Sequence, residues 1–109
     1  MGAFAVGDVV LVAFPYADFS RVKKRPALVV GKAEFGNLIL IQITSQSLTS
    51  KTAMPLSDSD FMAGGLHRDS YVRPDKMFTI EPAIVQSVVG RINNDRLGEI
   101  KSAVRRLFD

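Results

Sequence analysis

The strongest constraint on the fold is an abrupt change from charged to apolar residues at Pro26. The cations Lys23, Lys24 and Arg25 stand directly before this proline, and the apolar residues 27–30 follow it. A continuous apolar run rich in valine is typical of a strand that is buried on both faces. Because the residue before a proline is pushed toward extended geometry, we expect Arg25 at the mouth of this strand, on the rim of a rigid sheet.

Further apolar runs and turn residues predict a mainly β fold. Strands are expected at residues 9–13, 25–31, 38–44, 53–56, 70–73, 77–80 and 84–90. A loop of about ten residues would join the first two strands, and residues 57–62 are expected to form one helical turn. From residue 94 to residue 108 the apolar side chains recur at three- and four-residue spacing, which predicts an amphipathic helix capped by Asn93. We therefore expect one domain over residues 1–109, a small, strongly bent antiparallel sheet or SH3-like half-barrel with a C-terminal helix.

The composition excludes several classes of protein. With 47% hydrophobic and 23% charged residues, wholesale disorder is excluded. No apolar run approaches the roughly 20 residues that a membrane span needs, and no signal peptide is visible, so we expect a cytoplasmic protein without a membrane partner. Because the chain has no cysteine and only one histidine, His67, neither a metal nor another cofactor is expected.

The charge of the chain favours an anionic partner. The formal net charge is +3, and the cations are clustered along the sequence instead of being spread evenly. One cluster precedes the strand at Pro26, a second surrounds the strand near residue 72, and a third lies near the C-terminus. In order, the clustered residues are Lys23, Lys24, Arg25, Arg68, Arg73, Lys76, Arg105 and Arg106.

Arg73 and Asp75 are the most specific candidates for catalytic residues. Residues two apart on a strand lie on the same face, and Pro74 between them stiffens the backbone. A carboxylate beside a guanidinium suits cleavage of RNA: Asp75 would accept the proton of a ribose 2′-hydroxyl while Arg73 stabilises charge on the phosphorane. From the spacing alone, an exposed ion pair without a chemical role is the commoner explanation.

Other candidate residues also have two explanations each. Thr44 and Ser45 could bind phosphate oxygens or ribose, or could cap the turn after their strand. Arg25 could bind a phosphate or belong to a solvated basic loop. The loop aromatics Phe14, Tyr16 and Phe19 could stack on bases or pack onto the core.

Six motifs, taken in order, resemble the MazF/PemK/Kid toxins. They are Gly7–Val10, Arg25–Val30, Ile43–Gln46, Gly65–Leu66 before Asp69–Ser70, Val72–Asp75 with Phe78–Ile80, and Val89–Ile92. The resemblance covers nearly the whole chain. It implies a CcdB/PemK-like barrel, a homodimer and a metal-independent endoribonuclease that cuts single-stranded RNA at short sequences. It also implies a cognate antitoxin, which we expect to bind through an acidic, partly disordered segment.

The resemblance assigns roles to particular residues. Arg25 matches an arginine that acts on the scissile phosphate, Thr44 a catalytic threonine, and Arg73 with Asp75 the acid and base of Kid-type members. Ser45 matches a serine that contacts substrate, and we add the neighbouring residues Lys23, Lys24, Gln46 and Lys76 as expected RNA-binding residues. The segment 18–24 departs from the family pattern, because it lacks the glycine-rich stretch with glutamate or histidine that many members have there.

Two other functions on the same fold stay open. A CcdB-type toxin that poisons DNA gyrase without catalysis would need a tryptophan-containing tail, and the chain has no tryptophan. A catalytically silent module would use the basic rim to bind nucleic acid only.

Overall fold

The computed structural model describes residues 4–15, 22–46 and 51–109. These residues form seven strands and one α-helix, in the order β1 Asp8–Pro15, β2 Val22–Lys32, β3 Leu38–Thr44, β4 Met54–Leu56, β5 Phe61–Gly64, β6 Ser70–Ile80, β7 Val85–Ile92 and α1 Asn94–Arg106. Short 3₁₀ helices at Glu34–Gly36, Asp58–Asp60 and Pro82–Ile84 join some of them. The predicted mainly β fold with a C-terminal helix is confirmed.

The strands form one antiparallel sheet in the order β4-β6-β3-β2-β1-β7-β5. Register shifts interrupt four of its pairings, between β1 and β7, between β2 and β3, between β3 and β6, and between β5 and β7. A bulge bends a strand and increases its twist, so these shifts curl the sheet into a half-barrel.

Apolar residues on alternating positions form a core on each face of the sheet. One cluster contains Val9, Leu28 and Ile41 from the sheet and packs against Leu97 and Ile100 of α1. The other cluster lies on the opposite face and contains Val10, Val12, Ala27, Val29, Leu38, Leu40 and Ile80. Burial on both faces explains why the central strands read as continuous apolar runs.

The predicted helix and its cap are confirmed. The Asn93 side-chain oxygen accepts a hydrogen bond of 2.8 Å from the Arg96 amide, which satisfies one of the free N–H groups of the first turn. Leu97 and Ile100 are the buried residues of α1. No helix in the described ranges is long and apolar enough to cross a membrane.

The first hairpin differs from the prediction. β1 and β2 pair as far as Pro15 and Val22, so Arg25 lies inside β2 opposite Val12 and not at the mouth of the strand. The strand ladder runs through the three cations, of which Lys23 and Lys24 are exposed and Arg25 is half-buried. The predicted ten-residue loop is therefore shorter, and what joins the two strands, residues 16–21, lies outside the described residues.

The predicted break at Pro74 is a bulge inside one continuous strand. Arg73 lies opposite Gln42 and Met77 lies opposite Ile41, so residues 74–76 of β6 have no partner on β3 in this register. A proline is tolerated there because a bulged residue donates no ladder hydrogen bond.

The helical turn predicted at residues 57–62 is only partly correct. A 3₁₀ turn at Asp58–Asp60 is capped by Ser57, but Phe61 and Met62 belong to strand β5. They are drawn into the sheet by pairing with β7, where Phe61 lies opposite Ile92. For these two residues, pairing with β7 decides the structure, and the local helical pattern does not.

Candidate functional site

A cavity of about 350 Å³ collects most of the predicted site residues. Cationic and neutral polar side chains line it, namely Lys23, Arg25, Gln42, Thr44, Ser45, Gln46, Arg68, Arg73 and Lys76. Five of these nine residues are cationic and none is a carboxylate. Such a lining attracts a polyanion and suits phosphate groups in particular.

The pairing of three strands places these side chains together. Gln42 of β3 lies between Ala27 of β2 and Arg73 of β6, and directly opposed residues point to the same face of a sheet. Thr44 and Arg25 continue that face by the two-residue alternation of their strands. The same face carries the cluster around Leu40 at its other end, so it is apolar at one end and cationic at the other.

Arg73 and Asp75 form a two-point ion pair. Arg73 Nε donates to Asp75 Oδ1 at 3.1 Å, and Nη2 donates to Oδ2 at 2.9 Å. The Thr52 hydroxyl donates to Oδ1 at 3.4 Å. The Arg73 side chain is 16% exposed and that of Asp75 is 39% exposed, so the pair lies at the surface with its guanidinium turned inward.

This ion pair fixes the charge of both groups. The hydrogen bonds from Arg73 hold the pKa of the Asp75 carboxyl below its ordinary value, and the bond to Asp75 raises the pKa of Arg73. Asp75 is therefore a carboxylate at neutral pH. It becomes a stronger proton acceptor only when Arg73 turns some of its donors to another anion.

Thr44 takes part in the turn that ends β3. Its Oγ1 accepts a hydrogen bond of 3.2 Å from the Gln46 amide, which is the capping role considered from the sequence. A hydroxyl that accepts one bond still has its own proton to donate, so this contact leaves Thr44 able to donate to a ligand in the cavity that it lines. Ser45 and Gln46 follow as exposed residues.

Two predicted site residues are not among those that line the cavity. Lys24 alternates with Lys23 and Arg25 along β2 and lies on the opposite face. Asp75 reaches the cavity only through its contact with Arg73. Tyr16 and Phe19, predicted to stack on bases or pack onto the core, lie outside the described residues, as does the Phe14 side chain.

Gln42 and Arg68 line the cavity but were not predicted as site residues. Gln42 gives a signal in the sequence, because it is a polar residue inside an otherwise apolar strand, between Ile41 and Ile43. Arg68 had been noted only as one of the clustered cations. Among residues 4–15, 22–46 and 51–109, no three histidine, aspartate or glutamate side chains are grouped so that they could hold a metal ion.

Several solved structures have the same fold. A MazE–MazF complex of Deinococcus radiodurans has a TM-score of 0.79 at 19% identity, covering 99% of this chain and 97% of that one. An endoribonuclease in complex with its cognate antitoxin, from a mycobacterial species, has a TM-score of 0.75 at 17% identity, covering 99% and 95%. The toxin MazF-mt6 of Mycobacterium tuberculosis has a TM-score of 0.71 at 21% identity, covering 94% and 96%. At such low identity these likenesses establish the fold.

The sequence itself establishes the family. No curated protein matches the chain. A family model does match residues 5–108, nearly the whole length, in agreement with the resemblance carried by the six motifs. The chain therefore belongs to the PemK-like, MazF-like toxins of type II toxin–antitoxin systems.

Proposed function

We propose that the protein is an endoribonuclease that cuts single-stranded RNA at short sequences without a metal ion. The observation that carries the proposal is the cavity with five cations and no carboxylate in its lining, with the Arg73–Asp75 pair at its edge. The family and the names of the structural neighbours, which include endoribonucleases, support it. In the cell, cleavage of mRNA would inhibit translation and growth.

The reaction needs only the RNA, the side chains of the cavity with the adjoining Asp75, and solvent water. The ribose 2′-oxygen attacks the adjacent phosphorus, the new O–P bond forms, and the bond from phosphorus to the 5′-oxygen breaks. The 2′-hydroxyl proton goes to a base, and the departing 5′-oxygen takes a proton from solvent water. The products would end in a 2′,3′-cyclic phosphate and begin with a free 5′-hydroxyl.

The cations would bind and stabilise the phosphate. Arg25 and Arg73 approach the cavity from β2 and β6, so both can donate to the non-bridging oxygens as negative charge develops. Thr44 would add a hydrogen bond from its hydroxyl. Lys23, Ser45, Gln46, Arg68 and Lys76 would hold the neighbouring nucleotides.

Asp75 is our candidate for the base. When a phosphate enters, Arg73 would share its donors between that phosphate and the carboxylate. This sharing would loosen the ion pair and raise the basicity of Asp75 next to the 2′-hydroxyl. In the other assignment, Asp75 only orients Arg73, while Arg25 and Thr44 carry the reaction.

The proposed toxin would act as a cytoplasmic homodimer whose two cavities share one groove, and a cognate antitoxin with an acidic segment would cover that groove. MazE–MazF complexes among the structural neighbours support an antitoxin partner. The charge of the cavity supports an acidic one. Because a disordered segment can fold as it binds, one chain could cover the whole groove.

A nucleic-acid-binding module without catalysis is the second candidate. The observation that favours it is the engagement of both Asp75 oxygens by Arg73, which occupies the proposed base.

One experiment separates the two functions. The purified protein is incubated with EDTA and an end-labelled single-stranded RNA, with the same sequence as DNA and as duplex RNA for comparison. We expect discrete cuts in the single-stranded RNA alone. Binding without cleavage would support the silent module, and cleavage that stops in EDTA would contradict the metal-independent reaction. The variant Arg73→Ala, which should lose cleavage, excludes a contaminating nuclease.

A further inference from the structure

Four neutral side chains line the cavity, and any of them could contact a base of a bound RNA: Gln42, Thr44, Ser45 and Gln46. Those of its cations that bind phosphates carry no information about sequence, because phosphates are the same at every nucleotide. An amide held in a fixed position can choose among bases, because it presents both a donor and an acceptor to the edge of a base. Gln42 and Gln46 are the amides in the lining.

Only one of these amides stands on a rigid element. Gln46 is exposed and follows the end of β3, whereas Gln42 lies within β3 and is half-buried. Its neighbours Ile41 and Ile43 are 0% and 1% exposed, so the backbone on either side is fixed by the core. Pairing with Ala27 of β2 and Arg73 of β6 fixes the Gln42 backbone on both sides of β3.

The amide of Gln42 is also unoccupied. No hydrogen bond joins its side chain to any residue of the described part of the chain. Its partner across the sheet on one side, Ala27, is small, and on the other side Arg73 is turned to Asp75. A half-buried amide without a partner, inside a cavity that attracts phosphates, has both its donor and its acceptor left for a ligand.

We infer that Gln42 is the residue that selects the base next to the scissile phosphate, and that the base is adenine. A carboxamide pairs with adenine through two hydrogen bonds, because the amide oxygen accepts from the N6 amino group while the amide nitrogen donates to a ring nitrogen. The position of Gln42 beside Arg73 and Thr44 places this base at the reacting phosphate. The inference rests on the proposed ribonuclease function.

Sequencing the 5′ ends cut from a randomised RNA pool tests it. The wild-type protein should prefer adenine at one position beside the cut by about ten- to a hundredfold, the usual discrimination of a two-point amide–base pair. Gln42→Leu should remove the preference at that position and leave the others unchanged. Gln86→Leu is the matched control, since Gln86 is an exposed glutamine of β7 that does not line the cavity, and it should keep the wild-type pattern.

A second variant reverses the hydrogen-bonding pattern. Gln42→Glu replaces the donor by an acceptor, so the preferred base should change from adenine to cytosine, whose N4 amino group donates. This change of base is a readout that a merely structural residue would not give. Binding of the same RNAs, made uncleavable by one 2′-deoxy nucleotide, should show the same change of preference.

The possible results are separable. If the wild type cuts no RNA, the proposed function fails, and this inference fails with it. If the wild type cuts but shows no adenine preference, or if both variants keep the wild-type preference, only the role of Gln42 is overturned. Folded variants that cut nothing, or variants that do not fold, would also overturn it, because they would give the amide a catalytic or structural role instead.

Discussion

Arg73 and Asp75 bind each other through two hydrogen bonds of 3.1 and 2.9 Å across a single proline. The contact joins residues two apart on a strand, and it forms in the bulge of β6, where residues 74–76 have no partner on β3. Pro74 is buried, while Arg73 on its N-terminal side lines the cavity. The bulge in β6 therefore holds the proposed base, Asp75, against a cation that lines the cavity.

Asp75→Asn and Arg73→Ala should each lower the cleavage rate by roughly a hundredfold or more. This is the usual scale for loss of an acid–base group or of a charge-stabilising group. Single-turnover cleavage of one labelled RNA measures it. Asp109→Asn removes a carboxylate from the exposed chain end and is the control for net charge.

The other assignment of the base makes a different prediction for the same assay. If Arg25→Ala and Thr44→Ala abolish cleavage while Asp75→Asn leaves it intact, Asp75 is not the base. The reaction would then depend on the β2 and β3 residues of the cavity.

The pH dependence of the protein follows from the lowered pKa of Asp75. Hydrogen bonds from Arg73 lower that pKa below its ordinary value of 3.8, so the pair contributes stability above that value and loses it as the pH falls through the folded-state pKa. Between pH 5 and 8 the stability difference between wild type and Asp75→Asn should therefore stay constant, and it should shrink below about pH 4. Urea unfolding at several pH values measures it, and a difference that changes near neutral pH would contradict the ion pair.

Lys23 and Lys24 form a matched pair for RNA binding. Lys23 lines the cavity, whereas Lys24 lies on the opposite face of β2. Lys23→Ala should weaken binding of an uncleavable RNA and reduce the slope of log affinity against log salt by about 0.7, the value for one phosphate contact on a single strand. Lys24→Ala should leave both unchanged. Equal effects of the two substitutions would mean that RNA is attracted by net charge and not by this cavity.

Gly64 and Gly36 differ only in the space around them. Both have positive φ, +63° and +76°, but a Cβ at Gly64 would clash with the Val89 carbonyl oxygen, while nothing lies within 4 Å of a Cβ at Gly36. Gly36→Ala should cost about 1 kcal/mol of unfolding free energy, the cost of a left-handed backbone. Gly64→Ala should cost more, about 2–4 kcal/mol, because β5 must move away from β7. Equal losses in chemical denaturation would contradict the close β5–β7 contact.

Local sequence patterns were sufficient to predict β3 and the start of α1. β3 was predicted with its observed bounds, Leu38–Thr44, because an apolar run ends in polar residues. The cap at Asn93 was also predicted, since an asparagine before an amphipathic stretch has few other roles. The strand Phe61–Gly64 was missed because its formation depends on β7, which lies more than twenty residues further along the chain.

The sequence indicated most of the residues that line the cavity, but not their arrangement. Which face Lys24 occupies depends on where β2 begins, and that start is set by pairing with β1. The bulge at residues 74–76 depends on the register with β3 and has no local signal beyond Pro74. Gln42 could have been found, since it puts a polar side chain at the end of the strand face that begins with the buried Leu38 and Leu40.

The most direct test of the proposed reaction is one change in the substrate. A single 2′-deoxy nucleotide at the mapped cut site removes the attacking oxygen and leaves the phosphate and all bases in place. The account predicts that this RNA binds normally and is not cut, and that the unmodified RNA gives 2′,3′-cyclic phosphate and 5′-hydroxyl ends in the presence of EDTA. Cleavage of the deoxy-substituted RNA, or products with 5′-phosphate ends, would contradict it.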